Sequence, residues 1–149
     1  MTSELDKLQE EIIADMRKVY TETTIDHAMN PRNAGSMEDA DAFTSITGPC
    51  GDTMVMWLKV TDNRIEKANF WTDGCGTSIA AGSITTEMVK GKTFAEVMKM
   101  TPQGVLDALG GLPKESEHCA LLAIITIRDA VKEYLDVKRD PWKKAYKKK

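Results

Sequence analysis

Three cysteines stand in company that structural cysteines rarely keep: Gly48-Pro49-Cys50-Gly51-Asp52, Asp73-Gly74-Cys75-Gly76 and Glu117-His118-Cys119. A cysteine used as a small buried hydrophobe belongs inside an apolar run. The glycines beside Cys50 and Cys75 instead make loop apices with nothing to pack against. Cys119 leads into an apolar stretch, so a packing role competes with function there. Thiolates bind soft metals and attack sulfur, and Asp52, two residues after Cys50, adds a carboxylate. Three thiolates and one oxygen make the four ligands of a tetrahedral zinc site or the four terminal positions of a [2Fe-2S] cluster.

Distant thiols act together only if folded elements gather them. Phe43 to Thr47, Thr53 to Val60 and Ile65 to Thr72 alternate like strands, with Asp62-Asn63 as the turn between the last two. Cys50 lies as far before that turn as Cys75 lies after it, so a two-residue hairpin sets them opposite each other, with Asp52 across from Asp73. The same register pairs Lys59 with Glu66 and Val55 with Phe70, and a bulge would shift it by a residue. In strand geometry Cys50 and Asp52 share a face. Both faces of the middle strand carry large apolar groups, Met54, Met56 and Leu58 against Val55 and Trp57.

Helices surround these strands. Leu5, Leu8, Ile12, Ile13, Met16, Val19 and Tyr20 follow helical spacing, and Asn30-Pro31 stops that helix. Thr77 to Lys90 reads as a helix closed by Gly91. Thr93-x-x-Glu96 is a capping box, Thr101-Pro102 opens a helix that Gly110-Gly111 ends, and Ser116 caps a long final helix that Pro141 terminates. Strands followed by helices predict an α+β fold, a three-stranded antiparallel sheet with helices packed on it. Cys75 and Cys119 both fall at helix starts, where unpaired N–H groups and the dipole favour the thiolate.

The rest of the composition excludes more than it assigns. At 149 residues with 42% apolar side chains the chain suits one domain. A net charge of -3 excludes wholesale nucleic-acid binding. No apolar run approaches a membrane span. The acidic opening stretch lacks the character of a signal or transit peptide, and three unpaired cysteines suit a reducing compartment, which predicts a cytoplasmic protein. Residues 1–19 read as a helical extension, 20–137 as the domain and 138–149 as a basic, solvated tail.

From about Tyr20 to Tyr134 the chain resembles the IscU/NifU amino-terminal family of iron-sulfur cluster assembly scaffolds. The resemblance is carried by Ile25-Asp26-His27 with Asn30-Pro31-Arg32-Asn33, Cys50-Gly51-Asp52-Thr53-Met54, Gly74-Cys75-Gly76, Thr86-Glu87 with Val89-Lys90-Gly91-Lys92-Thr93, and Leu112-Pro113 leading to His118-Cys119. It implies that Cys50, Cys75 and Cys119 hold the cluster, that Asp52 tunes its ligation, that His118 is an alternative ligand, and that Cys119 is the first residue to accept sulfur. The partners it implies are a cysteine desulfurase, apo iron-sulfur acceptors and an electron-donor ferredoxin; the amphipathic amino-terminal helix reads as either packed on the domain or a contact with a second copy of the chain.

Three departures refine this resemblance. Ser116 replaces the lysine two before the histidine of related bacterial scaffolds, which argues against recognition by the specialised chaperone that reads that motif. The amino-terminal extension would place Tyr20, which matches a family tyrosine near the chain start, inside a helix. The insertion of the SufU branch between the second and third cysteines is missing, which favours a cluster scaffold over a zinc-bound sulfurtransferase. A structural zinc site is the third alternative. His27 and Arg32 read as a side-chain-bonded turn rather than as ligands.

Overall fold

The structure, a computed structural model, describes residues 3–139. Its elements are α1 (Glu4–Arg17), α2 (Glu22–Met29), β1 (Ala42–Thr47), β2 (Thr53–Thr61), β3 (Arg64–Thr72), α3 (Gly76–Val89), α4 (Phe94–Met98), α5 (Pro102–Leu109), a 3-10 turn (Lys114–Ser116) and α6 (His118–Arg139). The sheet is antiparallel in the order β1-β2-β3, and the fold class is the expected α+β.

Asp62 and Asn63 make the predicted turn with φ of 53° and 60°. Left-handed backbone at both central positions is the two-residue hairpin geometry whose twist matches the strands. A bulge between Lys59 and Val60 then shifts the register, so Lys59 faces Lys67 and Val55 faces Trp71 rather than Glu66 and Phe70. Straight-register pairing of Cys50 with Cys75 is therefore overturned, and the strand ladder between β2 and β3 stops at Met54 and Thr72.

Met54, Met56 and Leu58 are 0% exposed and belong to the main core with Phe70 and the inner faces of α3 and α6. Val55 and Trp57, on the opposite face of β2, are buried as well. The central helix α3 is rich in small residues, which allows close approach. A Cβ at Gly82 would lie 2.5 Å from a Phe70 ring carbon, so α3 seats on β3 only because glycine stands there.

The amino-terminal run is two helices, not one. Thr21 interrupts it by capping α2, its hydroxyl accepting from the Thr24 N–H. The same hydroxyl donates to the Leu109 carbonyl, tying this junction to the end of α5. Tyr20 consequently lies between helices. None of the residues of α1 is buried, and Leu5, Leu8 and Ile12 remain exposed. The capping box at Thr93 and Glu96, the proline start of α5 and the left-handed Gly110 at its end are all present. Ser116 lies in the 3-10 turn, so it does not cap α6. Pro141 and all but the first two residues of the basic tail lie outside the described residues. Among the described residues no helix is long and apolar enough to cross a membrane.

Candidate metal centre

Cys50 and Asp52 sit in the connection between β1 and β2. The Asp52 carbonyl accepts from the Gly48 N–H at 2.8 Å, and Gly51 has φ of +92°. They are in a loop rather than a strand, so alternation along a strand does not place them; Cys50 is exposed and Asp52 half-buried. Below the loop, the Asp73 carboxylate accepts from the Thr53 N–H at 2.8 Å and Thr72 Oγ1 donates to the Thr53 carbonyl at 2.7 Å. These bonds lock the end of β3 beside the loop, and Gly74-Cys75 follows immediately.

Cys75 is the residue just before α3 and is exposed. It borders a cavity of about 230 Å³ whose walls include Met16, Tyr20, Ile25 and Ala28. Cys119 is the second residue of α6 and is 1% exposed. His118 beside it is exposed, and its Nε2 lies 3.7 Å from Cys119 Sγ.

These groups converge. Ligand atoms of Cys50, Asp52 and His118 all lie within 4.8 Å of one another. Thr77 Oγ1 touches Cys75 Sγ at 3.0 Å and Cys119 Sγ at 3.3 Å. Ser78 Oγ lies 3.3 Å from both Cys119 Sγ and an Asp52 oxygen. Of the five expected residues, Cys50, Asp52 and His118 form one ligand group, and Cys75 and Cys119 adjoin it through the hydroxyls of Thr77 and Ser78, at the end of the sheet away from the Asp62-Asn63 turn. Thr77 and Ser78 were not expected among them. The only sequence signal for them is two hydroxyl residues directly after Gly74-Cys75-Gly76, and nothing in that pattern says which way they point.

The two helix-start thiols differ electrostatically. The Thr77 hydroxyl, with help from the backbone N–H groups of Ser78 and Thr77, holds the Cys75 thiol below the ordinary range. Burial pushes the Cys119 thiol up and outweighs the hydrogen bonds from Ser78 and Thr77. The expectation that both starts favour the thiolate therefore holds for Cys75 and fails for Cys119.

His27 and Arg32 lie in a structural network. His27 Nδ1 is 2.7 Å from Ser83 Oγ, which also accepts from the Arg32 N–H at 2.9 Å, and Arg32 pairs with Asp26 at 2.7 Å. Asn33 donates to Thr86 and Glu87 at 3.1 Å each. The segment after α2 is thereby fastened to α3.

Fold and site together define a small α+β domain that collects thiol, carboxylate and imidazole groups at one end of a three-stranded sheet. Residues 19–140 match the family described as NifU-like N terminal domain, and the chain belongs to that family. Two proteins of Archaeoglobus fulgidus named iron-sulfur cluster assembly scaffold protein IscU are each 48% identical to it over 117 residues, 78% of this chain and 76% of theirs. The IscU scaffold protein of Haemophilus influenzae is 42% identical over 120 residues, 77% of this chain and 94% of that protein. Among solved structures, a NifU-like amino-terminal protein from Brucella abortus superimposes with a TM-score of 0.64 at 16% identity, covering 81% of this chain and 97% of that one, a likeness of fold.

Proposed function

We propose that this chain is an iron-sulfur cluster assembly scaffold and carrier rather than an enzyme. It would build a [2Fe-2S] cluster at Cys50, Asp52, Cys75 and Cys119 and pass it to apo-proteins. The observation that carries this reading is the gathering of a carboxylate, an imidazole and three cysteines from three separate segments into one site with exposed Cys50, Cys75 and His118 on its rim. The shared family and the names of its relatives support it. Free thiols at all three cysteines suit a reducing, cytoplasmic setting.

In this reading iron and sulfur are substrates. A Cys119 thiolate attacks the terminal sulfur of a desulfurase persulfide; the sulfur–sulfur bond breaks and the desulfurase thiolate leaves. Cys119 is 1% exposed, so Thr77, Ser78 and His118 must first move apart around it. Reducing the received sulfur to sulfide takes two electrons, supplied by a ferredoxin. Cys50, Cys75 and Cys119 hold the iron through soft sulfur, Asp52 offers a harder oxygen, and His118 stands near enough to exchange with it. Mixed hardness makes the cluster easier to release than four thiolates would. A second copy of the chain is a further partner in this reading.

Anaerobic incubation with ferrous iron, cysteine, a desulfurase and dithiothreitol as the two-electron reductant tests the proposal. Acid-labile sulfide in equal amount to iron, with visible cluster absorption that moves to an apo-ferredoxin on mixing, is expected. A protein that holds only zinc, with no sulfide, would refute it. Asp52→Ala is expected to keep the fold and alter the rate of cluster transfer; unchanged transfer kinetics would remove Asp52 from the ligand set.

A further inference from the structure

Two side chains outside the ligand set touch most of it. Thr77 Oγ1 stands between Cys75 Sγ and Cys119 Sγ at 3.0 and 3.3 Å, and Ser78 Oγ stands between Cys119 Sγ and Asp52 Oδ2 at 3.3 Å each. Thr77 is 6% exposed and Ser78 is 0% exposed. Buried hydroxyls require partners, and here the partners are the groups that would bind iron.

We infer that Thr77 and Ser78 are positioning residues that assemble the ligand set before any metal arrives, and that afterwards Thr77 hydrogen-bonds to a sulfur and Ser78 to the Asp52 carboxylate. This deepens the scaffold reading and rests on it. Cys75, Cys119 and Asp52 come from the β3–α3 corner, the start of α6 and the β1–β2 loop, segments with no reason of their own to agree in position. The first turn of α3 reaches all three. Its two adjacent hydroxyls project from consecutive residues, so one helix end sets the spacing of two sulfurs and a carboxylate.

A hydroxyl has one hydrogen and two acceptor sites. Ser78 donates to the Asp52 carboxylate, which leaves its oxygen to accept from the Cys119 S–H; in the contacts of Thr77 with the two sulfurs either atom can be the donor. When metal displaces the thiol proton of Cys119, the Ser78 hydroxyl still donates to Asp52 and the Thr77 hydroxyl donates to a thiolate. The Ser78–Cys119 bond loses its hydrogen on loading, so the supports that persist are Ser78 to Asp52 and Thr77 to a thiolate.

Gly74 supports the same conclusion independently. A Cβ there would lie 2.5 Å from Ser78 Oγ and 2.9 Å from Asp52 Oδ2. Its φ is not in the left-handed region, so backbone freedom does not demand glycine; the approach of Ser78 to Asp52 does. A side chain at position 74 would occupy the space where these two meet.

Cobalt(II) titration of the full-length chain is the test, because cobalt reports both affinity and the donor strength of each thiolate through its sulfur-to-metal charge-transfer band. Thr77→Val keeps the shape and removes the hydroxyl; Ser78→Ala does the same with a smaller change. Each is expected to bind cobalt about 10- to 100-fold more weakly, the usual cost of removing a group that orients a ligand. At saturation the Thr77→Val band should also move to lower energy, since a thiolate relieved of a hydrogen bond is the better donor. Thr77→Ser should restore both affinity and band position, which a role in packing alone would not do. Folded variants with unchanged affinity and unchanged spectra would overturn the inference. Wild-type protein that takes up cobalt without any thiolate band would sink the scaffold reading as well, so the two failures are told apart by the wild-type control.

Discussion

The starts of α3 and α6 each present a cysteine to the same site, and they treat it in opposite ways. Cys75 precedes α3 in the open, with a hydroxyl and backbone N–H groups turned toward its sulfur; its thiol is held below the ordinary range. Cys119 begins α6 under cover, and burial raises its thiol although the same Thr77 and the neighbouring Ser78 touch it. A helix N-terminus favours a thiolate only while the sulfur keeps some access to water or to enough donors. Once the group is desolvated, the cost of burying charge exceeds what the helix end returns. One thiol is therefore poised to react as it stands, and the other is held in reserve until the site opens.

The strongest way to break this contrast is to remove the covered partner. Cys119→Ser should leave the fold intact by circular dichroism and weaken cobalt binding more than about 100-fold, because losing a ligand costs more than losing a group that orients one. A small loss would mean that the buried thiol is a packing residue after all. Alkylation measures the contrast directly. With iodoacetamide near neutral pH and mass-spectrometric readout, Cys75 should react at least about tenfold faster than Cys119, as access and thiolate population act in the same direction. Equal rates would show that the cover over Cys119 is not kept in solution.

Gly82 tests whether the placement of Cys75 depends on how α3 seats. Gly82→Ala should destabilise the protein by about 1–3 kcal/mol in urea, since the added methyl has to displace the Phe70 ring, and it should disturb Cys75 more than Cys119. The smallest effect concerns the joint between α2 and α3. Burial, and after it the Arg32 charge, hold His27 below its ordinary value of 6.5, against the pull of Asp26 and Glu87. Because the folded value lies below the unfolded one, the unfolded chain takes up the proton first as the pH falls. This contribution to stability is complete above about pH 6.5 and declines as the pH drops toward the folded value. Melting temperature should therefore fall between about pH 7 and pH 5, with a shallower slope in His27→Gln; identical slopes would remove His27 from the account.

Much of the fold could be read along the chain because its signals are local. The capping box at Thr93, Pro102 at the start of α5, the glycine pair at its end and the Asp62-Asn63 turn each depend on a few neighbouring residues. The errors fell where distant contacts decide. Thr21 ends one helix and begins another partly through its bond to Leu109, and the bulge at Lys59 and Val60 moves the hairpin register by a residue. Ser116 has the chemistry of a cap but lies one residue too early, in a 3-10 segment.

For the site, residue type and flanking glycines nominated Cys50, Asp52 and Cys75 as candidate ligands, and Cys119 by its thiol alone, because the ability of a thiolate or carboxylate to bind metal belongs to the side chain itself. What the chain order alone left open was which groups touch, which sulfur is covered, and that Thr77 and Ser78 stand between them. Those depend on how closely α3 approaches β3 over Gly82 and on where the β1–β2 loop closes over α6, through contacts between segments far apart in sequence. Chemistry was written residue by residue; desolvation and spacing arise only when the elements pack.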